Sequence, residues 1–266
     1  MSMPLIEYGR TGRCLSDVPV LDAHAHIGRF AVIEGPPLAT QVQEMDRIGI
    51  DTAIISSVEG IFGDIVRGND DVADAAARYP GRFLGYCHVS AQYPELLVPE
   101  LERCFANPVF KGIKVYQVGT RYDHELFDAV WAFARERGIP VLAHTWGGDV
   151  TGLDRVAERH ADVPFLIGHS GSGYTYQAYI DLAKRAPNLY LDLTYSREHT
   201  NMIEHFVEQI GVDRLVWGTD APTFSMSHQI GKVLFARIPD KAKCRILHDT
   251  AARLFGLRAL TAPVRP

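Results

Sequence analysis

Eight short apolar runs, each followed by an amphipathic stretch, constrain the fold of this chain more than any other feature. The runs are VPVLDA (18–23), TAIISSV (52–58), RFLGYCHV (82–89), VFKGIKVY (109–116), IPVLAH (139–144), VPFLIGH (163–169), NLYLDLTY (188–195) and RLVWGTD (214–220). Most are continuously apolar instead of alternating, as expected of strands covered on both faces of a parallel sheet. Covering helices are therefore needed. LATQVQEMDRIGI, DDVADAAARYPGR, ELLVPELERCFANP, HELFDAVWAFARERGI, LDRVAERHADVP, YQAYIDLAKRAPN and IEHFVEQIGVDR supply them, with apolar residues three and four apart and a Gly or Pro at or beside each end. In the fourth, Leu126, Phe127, Val130, Trp131 and Ala134 make one face and Gly138 supplies the stop.

Strand starts lie 24 to 34 residues apart, the size of one strand–helix unit. Eight such units in unbroken series predict an α/β fold of the (β/α)8 TIM-barrel type, ahead of a doubly wound open sheet. No linker, low-complexity tract or repeat divides the 266 residues, so residues 1–266 read as a single domain. With 47% hydrophobic and 22% charged residues the chain is neither disordered nor fibrous. A net charge of −5 without any Lys/Arg block leaves no electrostatic footprint for nucleic acid or an anionic membrane, so small molecules are the expected partners. The N-terminus lacks a basic segment followed by an apolar one, and no window nears the roughly 18 apolar residues of a membrane span, which points to a cytoplasmic protein. Cys14, Cys87, Cys104 and Cys244 are far apart and form no C-x-x-C pair, so they are expected to be reduced and packed. Association into a homo-oligomer is compatible with the sequence and is not specified by it.

In a parallel barrel the active site is built at the C-terminal ends of the strands. Those ends carry His24 and His26 after strand one, Lys114 on strand four, His144 on strand five, His169 on strand six and Asp220 on strand eight. A lone histidine at a strand end is commonly a hydrogen-bonded packing residue. Four separate strands delivering imidazoles and a carboxylate to one rim is a different matter. His24 and His26 share a face by the two-residue strand period. The donor set suits Zn²⁺ or a similar first-row divalent ion, with a position left open for water or substrate. Of the remaining histidines, His88 faces either the site or the core, His124 starts a helix, His160 and His205 sit on helices, and His199, His228 and His248 lie in or near loops. GHSGS (168–172) is similar to the nucleophile elbow of serine hydrolases, but Ser172 replaces its last Gly and a serine triad leaves His24, His26 and His144 unexplained.

DAHAH, KGIKVY, PVLAHTW, FLIGHSG, VWGTDAP and HDTAARLFGL, taken in order, resemble the amidohydrolase superfamily, in the branch that includes amino-carboxymuconate-semialdehyde decarboxylase and related hydrolases. The resemblance runs from Val18 to about Leu257. It implies that His24, His26, His144 and Asp220 bind the metal, with Asp220 doubling as proton acceptor. His169 is implied as a second-metal ligand or as a hydrogen-bonding partner of water and substrate. Lys114 is implied either as a carboxylated bridge between two metals or as a substrate or structural contact, with one metal per chain favoured over two. HAH stands where several decarboxylases of the group carry a glutamate as first ligand, which weighs toward hydrolysis.

The expected reaction is therefore metal-dependent hydrolysis of a small ester, lactone or amide by an activated water, with Asp220 and His169 as the catalytic groups. The alternatives are non-oxidative decarboxylation of a small unsaturated or aromatic acid, and a non-catalytic metal- or ligand-binding barrel. Arg29, Arg67, Arg121 or Arg197 would be available to hold a carboxylate. Phe30, Tyr116, Trp146, Tyr174 and Phe224 follow strand ends and are candidate pocket walls. Asp22 is a candidate supporting partner of the histidines, or a structural residue.

Overall fold

A computed structural model of the chain describes residues 3–29, 35–116, 119–145, 150–172, 176–194 and 200–257. Eight parallel strands follow one another in sequence order: β1 (Leu21–Ile27), β2 (Thr52–Ser57), β3 (Phe83–Val89), β4 (Phe110–Val115), β5 (Val141–His144), β6 (Phe165–Gly168), β7 (Leu189–Asp192) and β8 (Leu215–Val216). The sheet closes through backbone hydrogen bonds between β1 and the segment after β8, from Ala23 N to Trp217 O (3.0 Å), His26 N to Ala221 O (2.6 Å) and Asp220 N to His24 O (2.8 Å). This is the expected (β/α)8 barrel.

Two apolar layers follow from the pleat. Residues pointing outward meet the helices, as with Trp131 and Phe165, whose rings stack edge to face at 5.5 Å. Residues pointing inward, Leu21, Ile54, Tyr86, Leu142, Leu166 and Val216, fill the barrel, and Ala251, Ala252 and Phe255 of the C-terminal segment pack against them. That segment plugs the N-terminal end of the barrel, so the polar residues of the interior are confined to the opposite end.

The strands differ from expectation mainly at their ends. β1 runs on to Ile27, so His24 and His26 lie on the strand and not beyond it. Its register slips by one residue between Asp22 and Ala25, which interrupts the simple two-residue alternation. β8 holds only two residues because the chain turns at Gly218 and adopts a positive φ at Asp220. A side chain at Gly218 would meet Thr194 Oγ1 at 2.4 Å and His24 Cβ at 2.6 Å, so only glycine allows β8 to lie this close to the site. The longer of the two helices between β2 and β3, Ile65–Arg78, begins ahead of the DDVADAAARYPGR run, since Asp64 caps it by accepting from Arg67 N at 3.0 Å. Gly138 ends the helix Asp128–Arg137 in the left-handed region, as its position suggested. His228 and His248, expected in or near loops, lie on the helix Met226–Phe235 and the π-helical turn Arg245–Asp249. Among the described residues no helix is long and apolar enough to cross a membrane.

Candidate metal centre and active site

β1 brings two imidazoles to the open end of the barrel, and each is fixed by its Nδ1. His24 Nδ1 lies 2.6 Å from Asp192 Oδ2, at the end of β7, while Lys114 Nζ donates to His24 Nε2 at 2.8 Å. A lone pair on Nε2 places the proton on Nδ1, where the carboxylate accepts it. His26 Nδ1 is held by Ser56 Oγ at 2.9 Å, and its Nε2 lies 3.0 Å from Asp220 Oδ1. His169 follows β6 and gives Nδ1–H to Thr194 O (3.2 Å), leaving Nε2 beside His144 Nδ1 at 3.2 Å. Three rings thus turn their Nε2 atoms inward because their Nδ1 atoms are already engaged.

One donor atom each from His24, His169 and Asp220 fits within 4.8 Å of the other two. Asp220 Oδ1 stands 3.6 Å from His24 Nε2. His26 and His144 border this trio through their contacts with Asp220 and His169, so five of the six residues singled out from strand ends gather at one point, with the sixth, Lys114, against His24. The donors fit a divalent cation: buried neutral imidazoles and one carboxylate, converging with lone pairs inward. His169 and Asp220 reach the centre with φ of 61° and 56°, a left-handed conformation uncommon outside glycine. Backbone hydrogen bonds hold them there, from Asp220 N to His24 O and from His169 N to Asp192 Oδ2 (3.4 Å).

Burial dominates the electrostatics. It drives His24 and His144 well below the ordinary histidine range, with the neighbouring cationic groups adding to the effect, and it lowers His169 and, to about 3, His88. All four rings are therefore neutral ligand-type imidazoles near pH 7. Burial also raises the Asp220 carboxyl, but the hydrogen bond with His26 and the electrostatic attraction of the surrounding His169, His26 and His24 rings outweigh it and hold Asp220 below the carboxylate range. Lys114 is fully buried and lowered by desolvation to about 8.

Two supporting carboxylates flank the centre. Asp22, raised by burial to about 7, accepts from Thr219 N (3.0 Å), Thr219 Oγ1 (2.5 Å) and His24 N (3.1 Å). It ties β1 to the turn that presents Asp220. Asp192 escaped the sequence reading, although a lone carboxylate in the apolar run NLYLDLTY, at a strand end, was a usable signal. His88 faces the site: it pairs in register with Lys114 and donates Nδ1–H to Lys114 O at 3.1 Å. Ser170 of GHSGS donates its hydroxyl to a backbone oxygen, Ile167 O, at 2.7 Å.

Above the centre opens a cavity of about 370 Å³ lined by His26, His144, His169 and Asp220 at its floor and by Val58, Ile61, Phe62, Tyr116, Thr223 and Phe224 around it. Tyr116 stacks on His144 with ring centroids 4.0 Å apart, and Phe62 meets Tyr116 edge-on at 5.5 Å. Tyr116 and Phe224 thus occupy the expected walls. Phe30, Trp146, Tyr174, Arg197 and His199 lie outside the described residues. The described lining contains no arginine or lysine, so Arg29, Arg67 and Arg121 do not reach the cavity, and Arg121 pairs with Asp123 at 2.9 Å. A larger groove of about 630 Å³, between the helices Met202–Ile210 and Met226–Phe235, shares no residue with this centre.

A profile of the amidohydrolase family matches residues 21–257, which takes in every strand and every residue of the centre. The chain belongs to the amidohydrolase family. As a member, the protein is an enzyme. It is 24% identical over 283 aligned positions to the gamma-resorcylate decarboxylase of Rhizobium radiobacter, covering 82% of this chain and 86% of the relative. Over 140 positions it is 26% identical to the 2-amino-3-carboxymuconate-6-semialdehyde decarboxylase of Dictyostelium discoideum, covering 48% of this chain and 38% of that protein. Among solved structures, 5-carboxyvanillate decarboxylase from Novosphingobium aromaticivorans, complexed with manganese and 4-hydroxy-3-methoxy-5-nitrobenzoic acid, superposes with a TM-score of 0.74 at 19% identity, covering 92% of this chain and 99% of that one. 2,6-Dihydroxybenzoate decarboxylase complexed with 2,6-dihydroxybenzoate gives 0.72 at 19%, covering 90% and 100%. These relatives are decarboxylases, so they favour the sequence alternative over the hydrolase placed first.

Proposed function

We propose that this amidohydrolase-family enzyme is a metal-dependent, non-oxidative decarboxylase of a small aromatic or similarly planar unsaturated carboxylic acid. The observation that carries the reading is the cavity itself: aromatic and aliphatic walls, no cationic side chain among its described lining, and a floor of imidazoles with one carboxylate. A planar ring fits between such walls. A substrate carboxylate held between those walls loses hydration without gaining a lysine or arginine partner, and this favours departure as neutral CO₂. Hydrolysis of a lactone or amide draws no support from the relatives.

His24, His26, His169 and Asp220 would hold one divalent cation, with His144 as a further ligand or as a substrate contact beside Tyr116. Imidazole and carboxylate donors suit zinc and manganese alike. When bound, the cation supplies positive charge that polarises a substrate oxygen. The chain's own residues do the rest. Tyr116, Phe62 and Phe224 orient the ring and exclude water. Asp220 takes a proton from a substrate hydroxyl and hands it to the carbon that bears the carboxylate. The carbon–carbon bond then breaks, its electrons return to the ring, and CO₂ leaves; His169 steadies the oxygen from which the proton came.

The test is a panel of dihydroxybenzoates, carboxylated phenols, enoic acids, lactones and amides on protein loaded with Mn²⁺ or Zn²⁺, with CO₂ release and hydrolysis followed together. CO₂ release from at least one acid, abolished in Asp220→Asn without loss of fold, is expected. Lactone or amide hydrolysis without CO₂ release from any acid would overturn the reading.

A further inference from the structure

The contact between Lys114 and His24 raises a difficulty that an unused group nearby resolves. His24 Nε2 has a single lone pair, since Nδ1–H is committed to Asp192 Oδ2 at 2.6 Å. Lys114 Nζ occupies that lone pair at 2.8 Å. A cation coordinated by His24 needs the same lone pair, so Lys114 must let go when the cation arrives. Lys114 is fully buried and its ammonium group must then donate elsewhere inside the barrel.

We infer that His88 is the alternative acceptor: it receives the Lys114 ammonium on Nε2 when His24 turns to a metal, and so sets how tightly the centre binds its ion. Among the described residues His88 Nε2 is buried and has no hydrogen-bond partner. Its other nitrogen donates to Lys114 O, which leaves Nε2 as the lone-pair atom, and the two residues pair in register on adjacent strands with both side chains inside the barrel. The backbone of His88 is also locked in place. Asn69 accepts from His88 N at 2.9 Å, donates to His88 O at 3.0 Å, and is itself held by Glu100 Oε1 at 2.8 Å. His88 is thus a positioning residue, acting on the metal only through Lys114.

The inference rests on the metal reading above and is tested by a double-mutant cycle on Mn²⁺ affinity, measured calorimetrically on chelator-treated protein. His88→Leu should weaken binding about 10-fold or more, the range of supporting-residue losses at metal sites, and His88→Gln, which keeps an acceptor, should restore most of it. Lys114→Met should bind at least as tightly as the parent. In the Lys114→Met background His88→Leu should have no further effect. An equal loss in both backgrounds would mean that His88 serves only packing and would overturn the inference, as would loss of a metal equivalent in Lys114→Met, which would make Lys114 itself a ligand. Failure of the parent protein to take up any metal would instead strike at the proposed function.

Discussion

Asp192→Asn isolates the contribution of a residue that never touches the substrate cavity. The two carboxylate oxygens have separate duties: Oδ1 accepts from Thr194 N (3.1 Å) and Thr194 Oγ1 (2.5 Å), and Oδ2 accepts from His24 Nδ1 (2.6 Å) and, at the longer distance of 3.4 Å, from His169 N. An asparagine keeps its oxygen toward the two Thr194 donors, since turning it over would set its NH₂ against both. The NH₂ then faces His24 Nδ1 and can only donate, so the ring must carry its proton on Nε2, the atom that points into the centre. The variant keeps its shape and loses a ligand lone pair. Changes to partners that orient metal-bound histidines cost about 10- to 100-fold in affinity, and a forced tautomer should sit at the upper end. That is about 2.8 kcal/mol, at 1.4 kcal/mol per factor of ten. Titration of Mn²⁺ or Zn²⁺ into chelator-treated protein measures it, with thermal unfolding of the apoprotein as the control for shape. Affinity within twofold of the parent, in a variant that melts normally, would refute the tautomer reasoning.

Gly218→Ala should lower stability by about 1–3 kcal/mol, the usual cost of an overpacked interior, and weaken metal binding together with it, because the new methyl meets His24 and Thr194 at once; denaturant unfolding that matches the parent would show that the seam yields freely. The apoprotein should become more stable as pH rises from about 5 to 7. His24, His88, His144 and His169 have folded pKa values lowered below their unfolded value of 6.5, to about 3 for His88, so below 6.5 the unfolded chain binds more protons. Asp22 and Asp192, raised by burial, act in the opposite sense between 3.8 and about 7 for Asp22, and the histidines outnumber them. A urea midpoint that is flat or falls across this interval would contradict that balance.

The barrel was legible because burial on both faces leaves a continuous apolar run, and because eight runs at unit spacing have few other solutions. The candidate ligands were legible for a related reason: a polar residue at the end of such a run has only the barrel mouth to face. Where the sequence misled, local geometry intervened. His24 and His26 read as lying past the strand, because VPVLDA ends where hydrophobicity ends, whereas pairing with β2 carries the strand on to Ile27. β8 read as seven residues and holds two, because close approach at Gly218 and the left-handed Asp220 bend it away from ladder geometry. Asp192 and Ser56 went unseen, since a residue that orients a ligand has no spacing rule, only a position that appears once β7 and β2 stand beside β1. The choice between hydrolysis and decarboxylation was not in the motif either. In the proposed reading it rests on the walls of the cavity, and Phe62 and Val58 come from a short helix, Val58–Phe62, of which the apolar run 52–58 took in only Val58.

The seam between β1 and the turn after β8 joins residues as far apart in the chain as Asp22 and Thr219, 197 positions from one to the other. Such a contact forms late, since closing so long a loop is entropically unfavourable until the intervening strands are in place. His24 and His26 stand on one side of the seam and Asp220 on the other. A chain that has folded seven strands and not the eighth therefore lacks the one carboxylate of its proposed ion-binding groups, and high-affinity metal uptake becomes a molecular signature of a finished barrel.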